Sequence, residues 1–354
     1  MEKTLKTLYI LTLEPIEKRY TKQWYNYFKK GFGEFFKVKY IDGPPVPDKI
    51  EKGRFLDINR TNIWKAEQTK QVAQLFADGK IKDDDIFFFA DAWHFGITAI
   101  KYMAQLQDIK IKMFGYWHAG SYDPADFVAQ AGLGKWAGCH EIGWLKTLDG
   151  SFVATHFHKK LIVGYFGKDV EANKIHVVGF PMDWDKEIKK EIKKTWGAYE
   201  YPREPLVAFP HRVDKEKAPE KFDQLTNKMP QYKWIKTIEV TNTKKEYYEI
   251  LKRSKVVFSA STQETFGIGT VEAMFIGAIP VVPDSLSYVE MYDPLFKYTN
   301  LVTAKQKIKY IMENYGVNNN KGKALEKARL RNVSKIRKQS LESIPKMARV
   351  MNYA

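Results

Sequence analysis

Short apolar runs recur along the whole chain, and amphipathic stretches of helical period separate them. This alternation constrains the fold more than any other feature. Parallel strands covered on both faces read as continuous apolar runs, and each needs a crossover helix to reach the next. Runs of this kind occupy residues 8–11, 85–90, 112–117, 150–155 and 175–181, and residues 36–41 alternate as a strand should. A second set occupies 206–209, 233–235, 256–259 and 279–283. Amphipathic segments around 22–28 and 64–76 read as helices, and a polar helix is expected over 186–194. The Tyr- and Pro-rich stretch 199–205 reads as a linker, and no repeat at solenoid periods is present. The pattern predicts an α/β protein of two Rossmann-like domains facing a cleft. Open parallel sheets bind ligands beyond the carboxyl ends of their strands.

The length, 354 residues, agrees with a prior of about two domains. A hydrophobic fraction of 44% with 14% aromatics excludes a disordered or low-complexity chain. No run approaches the ~18 apolar residues of a membrane span. The first residues carry no signal-peptide core, so the mature chain is expected to start there. One cysteine, Cys139, makes no internal disulfide. His156 and His158 are two apart, but no acidic third ligand is nearby, and they read as a loop-to-helix transition. The expectation is a cytoplasmic protein without structural metal.

Charge is less ordinary. Lys and Arg number 58 against 42 acids, a net +16. Residues 321–354 hold ten basic and two acidic side chains, half of that excess. Such a balance attracts polyanions: nucleic acid, an anionic membrane or a phosphorylated substrate.

The most informative segment, 259–274, follows a strand and opens a helix. Its glycines and helix-terminal amides suit a phosphate. Its two carboxylates, Glu264 and Glu272, make no sense for phosphate alone. They make sense if the anion carries a polyhydroxyl group, because a carboxylate accepts hydrogen bonds from vicinal hydroxyls. The segment resembles the E-x7-E signature of retaining glycosyltransferases with the GT-B fold, the large group 1 family related to glycogen synthases. The resemblance implies that Glu264 holds donor-sugar hydroxyls, that the Phe266-Gly267 backbone approaches sugar and phosphate, and that Glu272 holds the ribose. Residues 277–283 are similar to the family's G-x-P-V-V segment. Arg212 and Lys217 resemble its Arg-x4-Lys pair, two cations for the donor diphosphate, and residues 174–183 resemble its hinge. Fixed positive charge is what a departing diphosphate needs where no metal assists.

In the N-terminal half, candidates cluster at strand ends. His118 matches a histidine that family members carry near the reacting sugar, and an imidazole there can polarise a hydroxyl or bond the sugar. Asp91, Trp93, His94 and Trp117 are candidates for acceptor binding, with Asp91 favoured because a carboxylate at a strand C-terminus faces the cleft. The resemblance implies an N-terminal acceptor domain (1–183), a C-terminal nucleotide-sugar donor domain (184–333) and a basic helix (334–354) returning to the first, its charge beside the cleft mouth. The expected reaction is a retaining, front-face transfer from a nucleoside-diphosphate sugar, UDP-sugar favoured, with no further cofactor. A hydroxymethylated pyrimidine in duplex DNA, as in bacteriophage DNA glucosyltransferases, is the favoured acceptor. Neutralised phosphates and a flipped base stacked on aromatics near Trp93, Trp117, Trp136 and Trp144 would serve it. The alternatives are a lipid-linked or lipopolysaccharide acceptor at a membrane, and a non-catalytic nucleotide- or DNA-binding module.

Overall fold

The computed structural model describes residues 5–16, 19–45, 57–192 and 203–353. Residues 193–194 of the expected polar helix and 199–202 of the expected linker lie outside these, as do the first four residues. The chain divides into two compact units, Met1–Met182 with Ser340–Ala354, and Asp183–Gln339.

In the first unit, six strands form one sheet: β1 (Thr7–Leu11), β2 (Lys37–Ile41), β3 (Ile86–Phe89), β4 (Lys112–Tyr116), β5 (Gly150–Val153) and β6 (Ile175–Val177). Their order is β2-β1-β3-β4-β5-β6, and every pairing is parallel. All four β3 side chains are fully buried, which is why this strand reads as an unbroken apolar run. Alternate residues serve opposite faces. Phe88 meets Phe28 and Phe32 of the helix Tyr20–Phe32, each at 5.6 Å between ring centroids. Phe87 stacks with Tyr9 and Phe76. The helix Ser343–Tyr353 also belongs to this unit and buries Ile344, Met347, Ala348 and Met351. Gly31 lets it approach, since a Cβ there would collide with the Ile344 Cδ1.

The second unit holds β7 (Glu204–Phe209), β8 (Lys233–Lys236), β9 (Ser254–Phe258), β10 (Ile279–Pro283) and β11 (Lys297–Tyr298). Their order is β11-β10-β9-β7-β8, again parallel. β11 is two residues long, too short to leave a hydrophobic pattern. The polar helix runs Trp184–Glu191, earlier than expected, with Asp183 accepting from the Lys186 backbone as its N-cap.

Both sheets share one topology, in which the first strand lies between the second and third. The crossover direction therefore reverses between β1 and β3 and again between β7 and β9. Those are the points where a doubly wound sheet opens a crevice for ligands.

The basic tail departs from a uniformly charged face. Arg329 is buried against Glu326 and donates to the Met274 carbonyl at 2.8 Å. Arg331 pairs with Asp293, and Arg337 forms a fork with Asp185 at 2.6 and 2.9 Å. Three of the tail's ten basic side chains thus staple the second unit together.

Candidate functional site

In the second unit the loop after β9 and the loop after β7 meet at the reversal point. Gly267 is the N-cap of the helix Ile268–Ile276 and sits at φ +83°, a conformation glycine adopts without penalty. A Cβ there would stand 2.9 Å from both the Thr270 Oγ1 and the Tyr288 Cε1. Space for a side chain has been given up so that backbone can turn sharply into the helix. Glu264 spans the turn: its Oε1 accepts from the Gly267 N–H at 3.0 Å, and its Oε2 lies 3.2 Å from the Lys217 Nζ. Lys217 also donates to the Gln263 carbonyl at 2.8 Å. The Thr262 N–H donates to the Glu216 carbonyl at 2.8 Å, which ties the two loops by backbone.

Arg212 reaches the same cluster from the β7 loop and is held by acids, 2.5 Å from Asp214 and 3.2 Å from Glu216. Burial raises the Asp214 pKa against the pull of Arg212. A diphosphate arriving here would exchange those carboxylates for its own oxygens as guanidinium partners. His211 is buried, with its Nε2 unpartnered, and burial beside Lys217 and Arg212 pushes its pKa well down. The imidazole is therefore neutral. Phe266 is buried and stacks on Trp184 at 6.1 Å, 10° from parallel.

Glu272 belongs to a separate network. Its Oε1 accepts from the Lys244 Nζ at 2.6 Å and from the Tyr248 hydroxyl at 2.8 Å, and the residue is 3% exposed. Lys244 and Tyr248 were not singled out from the sequence. Their spacing of four on one helix was the available signal.

In the first unit the strand ends carry a second polar cluster. Asp91 follows β3, accepts from the Trp93 N–H and pairs with Lys65 at 2.9 Å. Burial alone would raise its pKa, but Lys65 and then His118 hold it below the ordinary carboxylate value. Lys65 also donates to the Trp93 carbonyl at 2.5 Å. The Trp93 indole donates to Glu141 at 2.8 Å, and burial raises the Glu141 pKa. Lys65 was also missed. Thr61, Lys65 and Gln68 are all buried, and polar residues at that spacing on the buried stripe of a helix were its signal.

Two acceptor candidates take different roles. His94 is 3% exposed, accepts from the Gly96 N–H through Nδ1 and meets the Gln68 Oε1 through Nε2 at 3.1 Å. Burial pushes its pKa down to about 3. Trp117 is 1% exposed and donates to the Ser151 hydroxyl. Both are core groups whose hydrogen bonds are already made, so of the four candidates Asp91 and Trp93 keep surface for a ligand. His118 donates through Nε2 to the Ala90 carbonyl at 2.9 Å, which leaves Nδ1 to accept from the Tyr20 hydroxyl at 3.3 Å. Burial lowers its pKa. Trp136 is exposed, whereas Trp144 is buried against Trp93. His158 is buried and meets the Tyr122 hydroxyl at 2.7 Å, and the helix His156–Phe166 begins at His156. Among the described residues no group of three or more His, Cys, Asp or Glu side chains is placed to hold a metal ion. No helix among them is long and apolar enough to cross a membrane.

Known proteins share this fold. The chain is similar to sucrose-phosphate synthase from Thermosynechococcus elongatus, with TM-score 0.65 and 12% identity over 98% of this chain and 97% of that one. It is similar to a UDP-forming α,α-trehalose-phosphate synthase from Burkholderia xenovorans, with TM-score 0.63 and 9% identity over 99% of each chain. It is also similar to TarM of S. aureus, solved with UDP and α-GlcNAc-glycerol, with TM-score 0.52 and 17% identity over 80% of this chain and 59% of that one. The fold is that of the GT-B glycosyltransferases. By sequence, 152 residues are 26% identical to the tRNA-queuosine α-mannosyltransferase of Drosophila melanogaster, a match taking in 42% of this chain and 39% of the fly protein. No protein-family model matches.

Proposed function

We propose that the protein is a retaining glycosyltransferase that moves a sugar from a nucleoside-diphosphate donor, with UDP-sugar favoured, to a hydroxyl on a nucleic acid. One observation carries the donor half of this reading: Glu264 bridges the Gly267 N–H and the Lys217 ammonium at the reversal point of the second sheet. A carboxylate gripping sugar hydroxyls beside two cations is the arrangement that glycosyl transfer from a diphosphate needs. In the transition state the bond from the anomeric carbon to the phosphate oxygen breaks, and the sugar carries oxocarbenium character. Lys217 and Arg212 stabilise the charge gathering on the departing diphosphate, aided by the amides at Gly267. In a front-face displacement the acceptor oxygen bonds the same face of that carbon and passes its proton to the leaving phosphate oxygen. Configuration is thereby retained. Glu272, with Lys244 and Tyr248 behind it, is the proposed ribose contact.

Asp91 and Trp93, set by Lys65 and Glu141, are the proposed acceptor contacts. The net charge of +16 favours a polyanionic acceptor, and the fly relative's name specifies a nucleoside of tRNA. Two nucleic acids follow: duplex DNA bearing a hydroxymethylated pyrimidine, as the sequence resemblance suggests, and a modified tRNA. The test offers both, with a lipid-linked acceptor alongside, to the enzyme and a panel of nucleotide sugars, and identifies products by mass spectrometry. A mass increment on DNA or tRNA that Glu264→Ala and Arg212→Ala abolish is the expected result. Transfer to the lipid alone would replace the acceptor with a membrane-bound one. Donor binding with neither transfer nor hydrolysis would make the protein a non-catalytic binding module.

A further inference from the structure

A groove of about 450 Å³ lies in the first unit, and neither Asp91 nor His118 lines it. Its floor is the edge strand β6, and its walls are the start of the helix His156–Phe166 and the outer face of the helix Ser343–Tyr353. His156, Lys159, His176, Lys346 and Arg349 line it, together with small apolar groups and the Asn173 amide, and no carboxylate does. The arrangement follows from packing. Burying Ile344, Met347 and Met351 turns Lys346 and Arg349, three residues apart on the same helix, toward the groove. Lys159 is held across it by donating to the Ile175 carbonyl at 2.7 Å. Lys346 also pairs with Glu342, just before that helix, at 3.1 Å.

Three permanent cations from two separate elements, converging on an open channel without a lining acid, are poorly suited to a small neutral ligand. They are well suited to an extended chain of phosphates. We propose that this groove is a phosphate-backbone site that positions the nucleic-acid acceptor, with Lys346, Arg349 and Lys159 taking successive phosphates. The inference rests on the nucleic-acid reading of the acceptor.

The experiment measures anisotropy of a fluorescein-labelled 20-base-pair DNA duplex and of a labelled tRNA, with the full-length protein across a sodium chloride series. Lys346→Gln/Arg349→Gln is compared with Lys323→Gln/Lys327→Gln, which removes the same charge from exposed positions of the second unit. The groove variant should lose about 1.8 from the slope of log affinity against log salt, at ~0.9 per phosphate contact, and at least about tenfold in affinity at 0.1 M salt. The control should keep the wild-type slope. Equal slopes in wild type and groove variant, equal losses in both variants, or loss of binding to phosphatidylglycerol vesicles instead of nucleic acid would overturn the groove while leaving the acceptor reading intact. A wild-type protein that binds neither duplex nor tRNA would overturn both.

Discussion

Glu264 does two jobs with one carboxylate. It closes the turn onto the Gly267 N–H, and it holds Lys217 at 3.2 Å. Glu264→Gln keeps an oxygen for the turn and removes the charge. It should therefore lower turnover by about 10²–10³-fold with an unchanged melting midpoint, read by product assay and thermal scan. Gly267→Ala attacks the backbone instead. At φ +83° and against Tyr288, it should cost about 1–3 kcal/mol of stability in urea. Two histidines give a pH signature. His94 and His158 are pushed by burial from 6.5 down to about 3. Between those values the unfolded chain binds more protons than the native one. Their stabilisation is thus whole above about pH 6.5 and falls as pH drops toward 3, by up to ~1.4 kcal/mol per pH unit for each. His158→Gln should flatten the pH dependence of unfolding free energy by one proton, measured between pH 7 and 5. An unchanged slope would contradict its neutral burial. At this scale the sequence showed which residue types gather at strand ends, but not their partners. His94 and Trp117 differ from Asp91 and Trp93 only in which way the chain turns them after the strand, a matter of long-range packing.

Among the elements, ten strands are legible: most are buried on both faces and leave an apolar run, whereas β2 is half-exposed and leaves an alternating one. The two-residue β11 and the exact start of the helix Trp184–Glu191 are not, since short elements are set by their neighbours. The two helices at the C-terminal end divide their labour in a way that charge counting hides. The helix Asn320–Leu341 spends Arg329, Arg331 and Arg337 on ion pairs, whereas the helix Ser343–Tyr353 is amphipathic and docks by its apolar side. Ile344→Ala should destabilise the protein by about 2–4 kcal/mol, seen as an earlier urea midpoint. The large cost is expected because Ile344 fills the space vacated at Gly31.

For the whole molecule, two sheets with separate cores predict two unfolding events in calorimetry. The loop proposed to hold the diphosphate lies wholly in residues 183–339. UDP at about one hundred times its Kd should therefore stabilise one transition by about 2.7 kcal/mol. A uniform shift of both, or of neither, would count against donor binding at that loop. The path of the chain has a further effect. Residues 340–354 complete the unit that residues 1–182 begin, so a ribosome delivers the opening sheet long before its closing helix. At ~5–20 residues per second, the nascent half waits roughly 10–30 s with the Gly31 face of the helix Tyr20–Phe32 uncovered, a window in which chaperones compete with self-association. Yield in cells should thus depend on translation speed through the middle of the message, a region that contributes nothing to the half at risk.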